Sequence, residues 1–320
     1  FQDADGKVYW LNENDLAKNM MTTGAIQNHN LTISGGTDRI RYRLSGSFSK
    51  EDGPLITNKD MFERKTINGF IAADVLKWYT QEANISYTNS DLSKPEVVGN
   101  MNHYYTTRLI NYYPEGDIPD KILGTNESLP SQTPSNMIRL APVSHEEKSV
   151  PRISLRSIFK LLPGWIITGE YTYNRTDTHY QFYSDRFRFA DVQLAAKNST
   201  EKGQDFYRMY DTTAKYNALN VFSNYEHTWG NHAFKAMFGF NQEEYYYRYF
   251  YGNVLAQATP SVPSFEGGTG EKKIIDKYSE YAIRSGFARF NYVYADKYLF
   301  ELNGRYDGSS KFPKDNRFGF

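Results

Sequence analysis

Cysteine is absent from the 320 residues, which excludes a disulfide framework, a thiolate metal site and a cysteine nucleophile. No uninterrupted apolar run approaches the ~18 residues of a membrane-crossing helix, so any passage through a bilayer is made by strands. An excess of one charge is missing as well. Lys and Arg total 37 and Asp and Glu total 37, and such a balance carries no electrostatic footprint for nucleic acid. The six histidines, His29, His103, His145, His179, His227 and His232, have no metal-ligand spacing such as H-E-x-x-H. "DADGK" at Asp3 to Lys7 places its glycine too early for a calcium loop. "EGGTGEK" at Glu266 to Lys272 lacks the strand and helix of a phosphate cradle and reads as a flexible loop. These absences argue against an enzyme and against a cofactor, and no catalytic residue is assigned.

Aromatic residues are plentiful. They make up 16% of the chain, with 27 Tyr and 21 Phe, yet mean hydropathy is only −0.68. That pairing suits strands with one greasy face and one wet face. In "FARFNYVYADKYLFELNGRYDGSSKF", Phe287 to Phe312, Ala288, Phe290, Tyr292 and Tyr294 share one face of the first arm. Arg289, Asn291 and Val293 share the other. Beyond Ala295-Asp296-Lys297 the split repeats, with Tyr298, Phe300, Leu302, Gly304 and Tyr306 against Leu299, Glu301, Asn303 and Arg305. The inward polar residues need partners whatever the fold, and structural pairing is their expected role.

Four further hairpins follow the same period of two. Their arms are read over 26–34 with 39–48, 66–75 with 81–88, 151–160 with 165–173, and 218–228 with 233–247. Their turns fall near Gly35 to Asp38, Lys77 to Thr80, Pro163-Gly164 and Gly230-Asn231. Between hairpins lie long polar connections over 51–61, 90–149, 177–213 and 252–279. Alternation alone fits a soluble sandwich equally well, but loops of this length do not suit a compact one. Short turn, long loop, repeated, is the signature of a transmembrane barrel. The expected fold is therefore all-β: an antiparallel transmembrane β-barrel, partial, with about ten strands of a larger barrel and long extracellular loops. The chain opens on Phe1 and stops just past a strand, so it reads as a piece of a longer polypeptide. Within residues 1–25, Asn14 or Asp15 is placed to cap a short helix ahead of the first hairpin.

Two stretches resemble a known family. "IQNHNLTISGGTDRIRYRLSGSFSKEDGPL", from Ile26, and "FARFNYVYADKYLFELNGRYDGSSKFPKDNRFGF", from Phe287, are similar to barrel hairpins of the SusC/RagA family of TonB-dependent outer-membrane transporters. Asn28-His29-Asn30 with Ser34-Gly35-Gly36, and Arg305 to Ser310, carry the likeness. It is close over about 26–90 and 284–320, whereas the middle agrees only in hairpin pattern. The resemblance implies a barrel of about twenty-two strands with an N-terminal plug, in the Gram-negative outer membrane. It implies residues 1–25 as a segment joining plug to barrel and 26–320 as the N-terminal part of the barrel domain. Implied partners are a SusD-like surface lipoprotein, the TonB-ExbB-ExbD system acting through the plug region, and outer-membrane lipid. Implied cargo is oligosaccharide or oligopeptide, and no nucleic acid.

One cluster is a candidate for cargo. In "EEYYYRYFYGN" the phase set by Phe234, Ala236, Phe238 and Phe240 on the lipid side turns Tyr245, Tyr247, Tyr249 and Tyr251 toward the lumen, where rings can stack on sugars or line a peptide path. The competing reading assigns these rings, with Tyr225 and Trp229, to the aromatic girdle of a barrel. Alternatives to a coupled importer are a passive channel, a soluble or surface-attached β-rich glycan-binding module, and an adhesin.

Overall fold

The computed structural model describes residues 16–96, 117–118, 129–130, 134–190, 199–202 and 205–319. One antiparallel sheet dominates. Its strands are β1 (Ala25–Gly36), β2 (Ile40–Asp52), β3 (Met61–Leu76) and β4 (Tyr79–Pro95). After the ribbon β5 (Asp117–Ile118) with β6 (Leu129–Pro130) come β7 (Val143–Leu162) and β8 (Trp165–Ser184). A second ribbon, β9 (Phe187–Ala190) with β10 (Ser199–Lys202), precedes β11 (Phe206–Trp229), β12 (His232–Leu255), β13 (Lys272–Tyr294), β14 (Tyr298–Ser309) and the stub β15 (Phe318–Gly319). The order in the main sheet is β1-β2-β3-β4-β7-β8-β11-β12-β13-β14-β15, each strand beside its chain neighbour. No described helix is long and apolar enough to cross a membrane.

All five expected hairpins form, and every turn holds two or three residues. Gly164 takes φ +81°, and a Cβ there would meet the Glu226 carbonyl oxygen at 2.0 Å. Glycine is demanded on both counts. Ala295 and Asp296 both take φ +52°, the left-handed geometry that matches a hairpin's twist.

Strand length departs from expectation. The arms were expected to stop where alternation of greasy and wet residues fades, yet β8 has 20 residues and β11 and β12 have 24 each. Much of 143–149, 177–184, 206–213 and 272–279 is therefore strand. The cause is the outward face. Its positions turn polar at Lys50, Lys65, Arg175, Lys215 and Arg284, and above that level polar and aromatic residues are mixed on both faces of the sheet, so the sequence carries no period to read.

Below that level, register puts Leu31, Leu44, Ile67, Ile85, Leu155, Val221, Phe238, Phe300 and Leu302 on one common face. These side chains are open, Leu31 at 68% and Phe300 at 61%. A contiguous apolar surface running the width of the sheet is not a water-facing surface. It spans about ten residues of each strand, which at the usual tilt is a band about 25 Å tall, the height of a hydrocarbon layer. Rings gather at the short-turn end: Tyr79 stacks on Phe159 at 4.9 Å and His227 on Trp229 at 5.7 Å. Tyr225 and Trp229 thus take the expected girdle positions.

At the long-loop end two short helices, Leu16–Met20 and Pro134–Leu140, bury Met20, Met137 and Ile138. The Lys59 ammonium donates to the carbonyls of Arg139 at 2.7 Å and Ala141 at 2.6 Å, satisfying acceptors a helix C-terminus leaves open. The helix expected before the first hairpin is present, while its expected cap, the Asp3 to Lys7 turn and His103 lie outside the described residues. The Gly-rich stretch after Leu255 is not a free loop. Ala258 and Gly270 donate to Gly267 and Leu255, and Gly268 approaches Val254 so closely that a Cβ would stand 2.0 Å from a methyl.

Candidate functional site

The face opposite the apolar band is polar and largely paired. Arg156 bridges Glu170 at 2.9 Å and Glu82 at 3.6 Å, and Asn241 donates to Asn220 at 2.7 Å. Glu301 accepts from Arg289 at 3.0 Å, from Asn303 at 2.6 Å and from Asn291. Arg305 donates to Asp307 and Ser285. The inward residues of the last hairpin are thus consumed by one another, as the cost of a lone charge requires.

Higher on the same face stands the tyrosine cluster. Pairing of β12 with β11 and β13 is unbroken from His232 to Val254. Tyr245, Tyr247, Tyr249 and Tyr251 therefore share the polar face, opposite to Phe238 and Phe240. The structure divides them. Tyr245 stacks on Tyr281 at 5.3 Å and sits across from Tyr216. Tyr247 lies between Ala214 and Ser279. Tyr249 and Tyr251 join a larger group above the membrane band.

That group spans β7, β8, β11 and β12. Tyr180 and Tyr210 stack face to face at 4.4 Å and 9°, Tyr249 lies 6.2 Å from Tyr210, and Tyr251 lies 6.4 Å from Tyr249. Two carboxylates orient the phenols: Tyr180 donates to Glu96 at 2.9 Å and Tyr210 to Glu146 at 2.7 Å. Burial first, then the adjacent carboxylate, pushes both phenols above their ordinary pKa, so they remain neutral donors. The Arg208 guanidinium rests 4.7 Å from the Phe206 ring and 6.0 Å from Tyr251, a cation–π arrangement. Its Nε is buried without a hydrogen-bond partner among the described residues.

Sequence reasoning missed Tyr180, Tyr210, Arg208, Glu96 and Glu146. Their signal is cross-strand: Tyr210 faces both Tyr251 and Tyr180 in the register, but these residues lie on three strands far apart in the chain. Among the described residues no group of three His, Asp or Glu is placed to hold a metal. The arrangement offers flat aromatic surfaces, oriented acceptors and one guanidinium charge beside them.

No family model matches the chain. It is 24% identical over 321 residues to TonB-dependent receptor P3 of Formosa agariphila, taking in 96% of the chain and 30% of that relative. It is 56% identical over 43 residues to TonB-dependent receptor P26 of the same organism, covering 13% of the chain and 4% of the relative. The RagAB peptide importer in its closed-closed state superposes with a TM-score of 0.75 at 18% identity, over 98% of the chain and 35% of the solved one. The siderophore receptor PirA from Acinetobacter baumannii gives 0.51 at 13% identity, over 91% and 38%. The chain spans about a third of the length of the larger proteins it matches. Its fold is that of an outer-membrane TonB-dependent barrel, and the Gram-negative outer membrane is where its apolar band belongs.

Proposed function

We propose that the chain is a segment of a SusC/RagA-type TonB-dependent barrel and that the whole protein imports oligomeric nutrients, oligosaccharides or oligopeptides, across the outer membrane. Residues 26–320 supply the first part of the barrel wall, and residues 1–25 connect it to a plug. Energy comes from the TonB-ExbB-ExbD system through that plug, and a SusD-like surface lipoprotein presents cargo at the long-loop end.

The observation that carries this reading is the wall of tyrosines on the lumen side, at the mouth and above the lipid band. Rings at Tyr245, Tyr247, Tyr249 and Tyr251 offer successive contact surfaces for a long molecule. The half-buried Arg208 guanidinium adds a positive charge beside those rings for an acidic group on the same molecule. Homology to a TonB-dependent receptor over 96% of the chain supports the energy coupling.

The test uses the full-length receptor in a strain lacking its own copy, supplied with labelled oligosaccharide and oligopeptide mixtures. Uptake of one class is expected, abolished by a protonophore. Tyr249→Ala with Tyr251→Ala is expected to lower apparent affinity about tenfold, the worth of two ring contacts. Uptake indifferent to the protonophore overturns the coupled importer in favour of a channel.

A further inference from the structure

The upper part of β13 has a free edge. On one side β13 pairs with β12 along its length, from Lys272 to Tyr294. On the other, β14 stops at Ser309, opposite Ile283, and Ser310 adds a last pair of bonds to Ala282. Above that level no described strand pairs with this edge.

Alternation in an antiparallel strand fixes which groups are left over. The N–H and C=O of Ala282 face this side, so those of Glu280, Tyr278, Asp276, Ile274 and Lys272 do also. Nearly every residue from Lys272 to Glu280 is exposed, Tyr278 at 72% and Ile274 at 67%. No proline or bulge blunts the run; the protection it does carry is charge, at Lys272, Lys273, Asp276, Lys277 and Glu280, which discourages pairing with an arbitrary strand and leaves the edge open to one of complementary charge.

We propose that this edge binds an extended peptide as an added strand, and that the preferred peptide alternates acidic with apolar residues. An added strand places alternate side chains on opposite faces. On the lumen face its neighbours are Lys273 and Lys277, neither of which has a carboxylate partner among the described residues. On the outer face its neighbours are Ile274 and Tyr278. Asp276, the acid between those two, is held by Arg248 through bonds of 3.2 and 2.8 Å and does not repel an incoming carboxylate. The proposal goes beyond import, since it concerns capture at the surface and stands whether or not the captured peptide is carried inward.

The experiment uses the full-length receptor in detergent and two fluorescent eight-residue probes, one alternating Glu with Val and the other Lys with Val. The acidic probe is expected to bind at least ~10-fold more tightly, because it alone carries the sign of charge that Lys273 and Lys277 attract. Tyr278→Pro removes an N–H without a partner among the described residues, the kind of edge position where proline is tolerated. It is expected to weaken binding ~10-fold or more with thermal unfolding unchanged. Lys273→Glu with Lys277→Glu is expected to reverse the probe preference, which decides the matter should the proline variant fail to fold. Undiminished binding by Tyr278→Pro, or a charge reversal without effect, overturns the proposal. So does slow amide exchange at Ile274, Asp276, Tyr278 and Glu280, the positions that face away from β12, in the receptor alone, which reports an edge already covered by another segment or a second copy.

Discussion

Tyr210 shows how a single side chain serves structure and site together. Its ring lies on Tyr180 and its hydroxyl on Glu146. Tyr210→Phe keeps the stack and strands the carboxylate, with an expected loss of about 1 kcal/mol at neutral pH. The pH dependence has a definite sign. Because folding raises this phenol above its ordinary value, its contribution is complete below about pH 10 and falls as the pH climbs toward the elevated value. Denaturant unfolding of the full-length receptor should lose stability more steeply above pH 10 in the wild type than in Tyr210→Phe, and parallel curves would contradict the assignment.

Strands carry the division of labour between faces. Leu302 and Asn303 are consecutive on β14, one in the apolar band and one beside Glu301. Leu302→Arg near the band's midplane is expected to cost about 2–4 kcal/mol of folding stability in a bilayer. Asn303→Arg, which can still meet Glu301, is expected to cost less than about 1 kcal/mol. Equal costs would mean that the faces are misassigned. This division was legible in sequence because lipid and lumen impose opposite demands on alternate residues. The turns at Pro163-Gly164 and Gly230-Asn231 were legible from local chemistry. The reach of β11 and β12 past Lys215 was not, since a strand with polar and aromatic residues mixed on both faces has no period. Neither was the meeting of Glu96, Tyr180 and Tyr210, which depends on pairing between distant strands. The tyrosines of β12 were readable as lumen-facing because no bulge shifts their phase, but their division between Tyr281 and Tyr210 was set by neighbours the sequence does not name.

For the whole molecule, the edge of β1, unpaired among the described residues, the further edge of β14 below Asp307 and the open apolar band are incompatible with an isolated soluble fold. Residues 1–320 expressed alone are expected to aggregate without detergent, and sedimentation as a folded monomer would refute the barrel. The same wall, in place, is tall. Strands of 24 residues rise roughly 60 Å at the usual tilt, against about 25 Å of hydrocarbon, so at β11 and β12 more than half of the wall's height stands outside the membrane as hydrogen-bonded sheet. To an antibody or a bacteriophage approaching the cell, the exposed target is therefore a firm, patterned rampart whose shape persists while loops above it vary, and recognition aimed at it would survive changes in loop sequence.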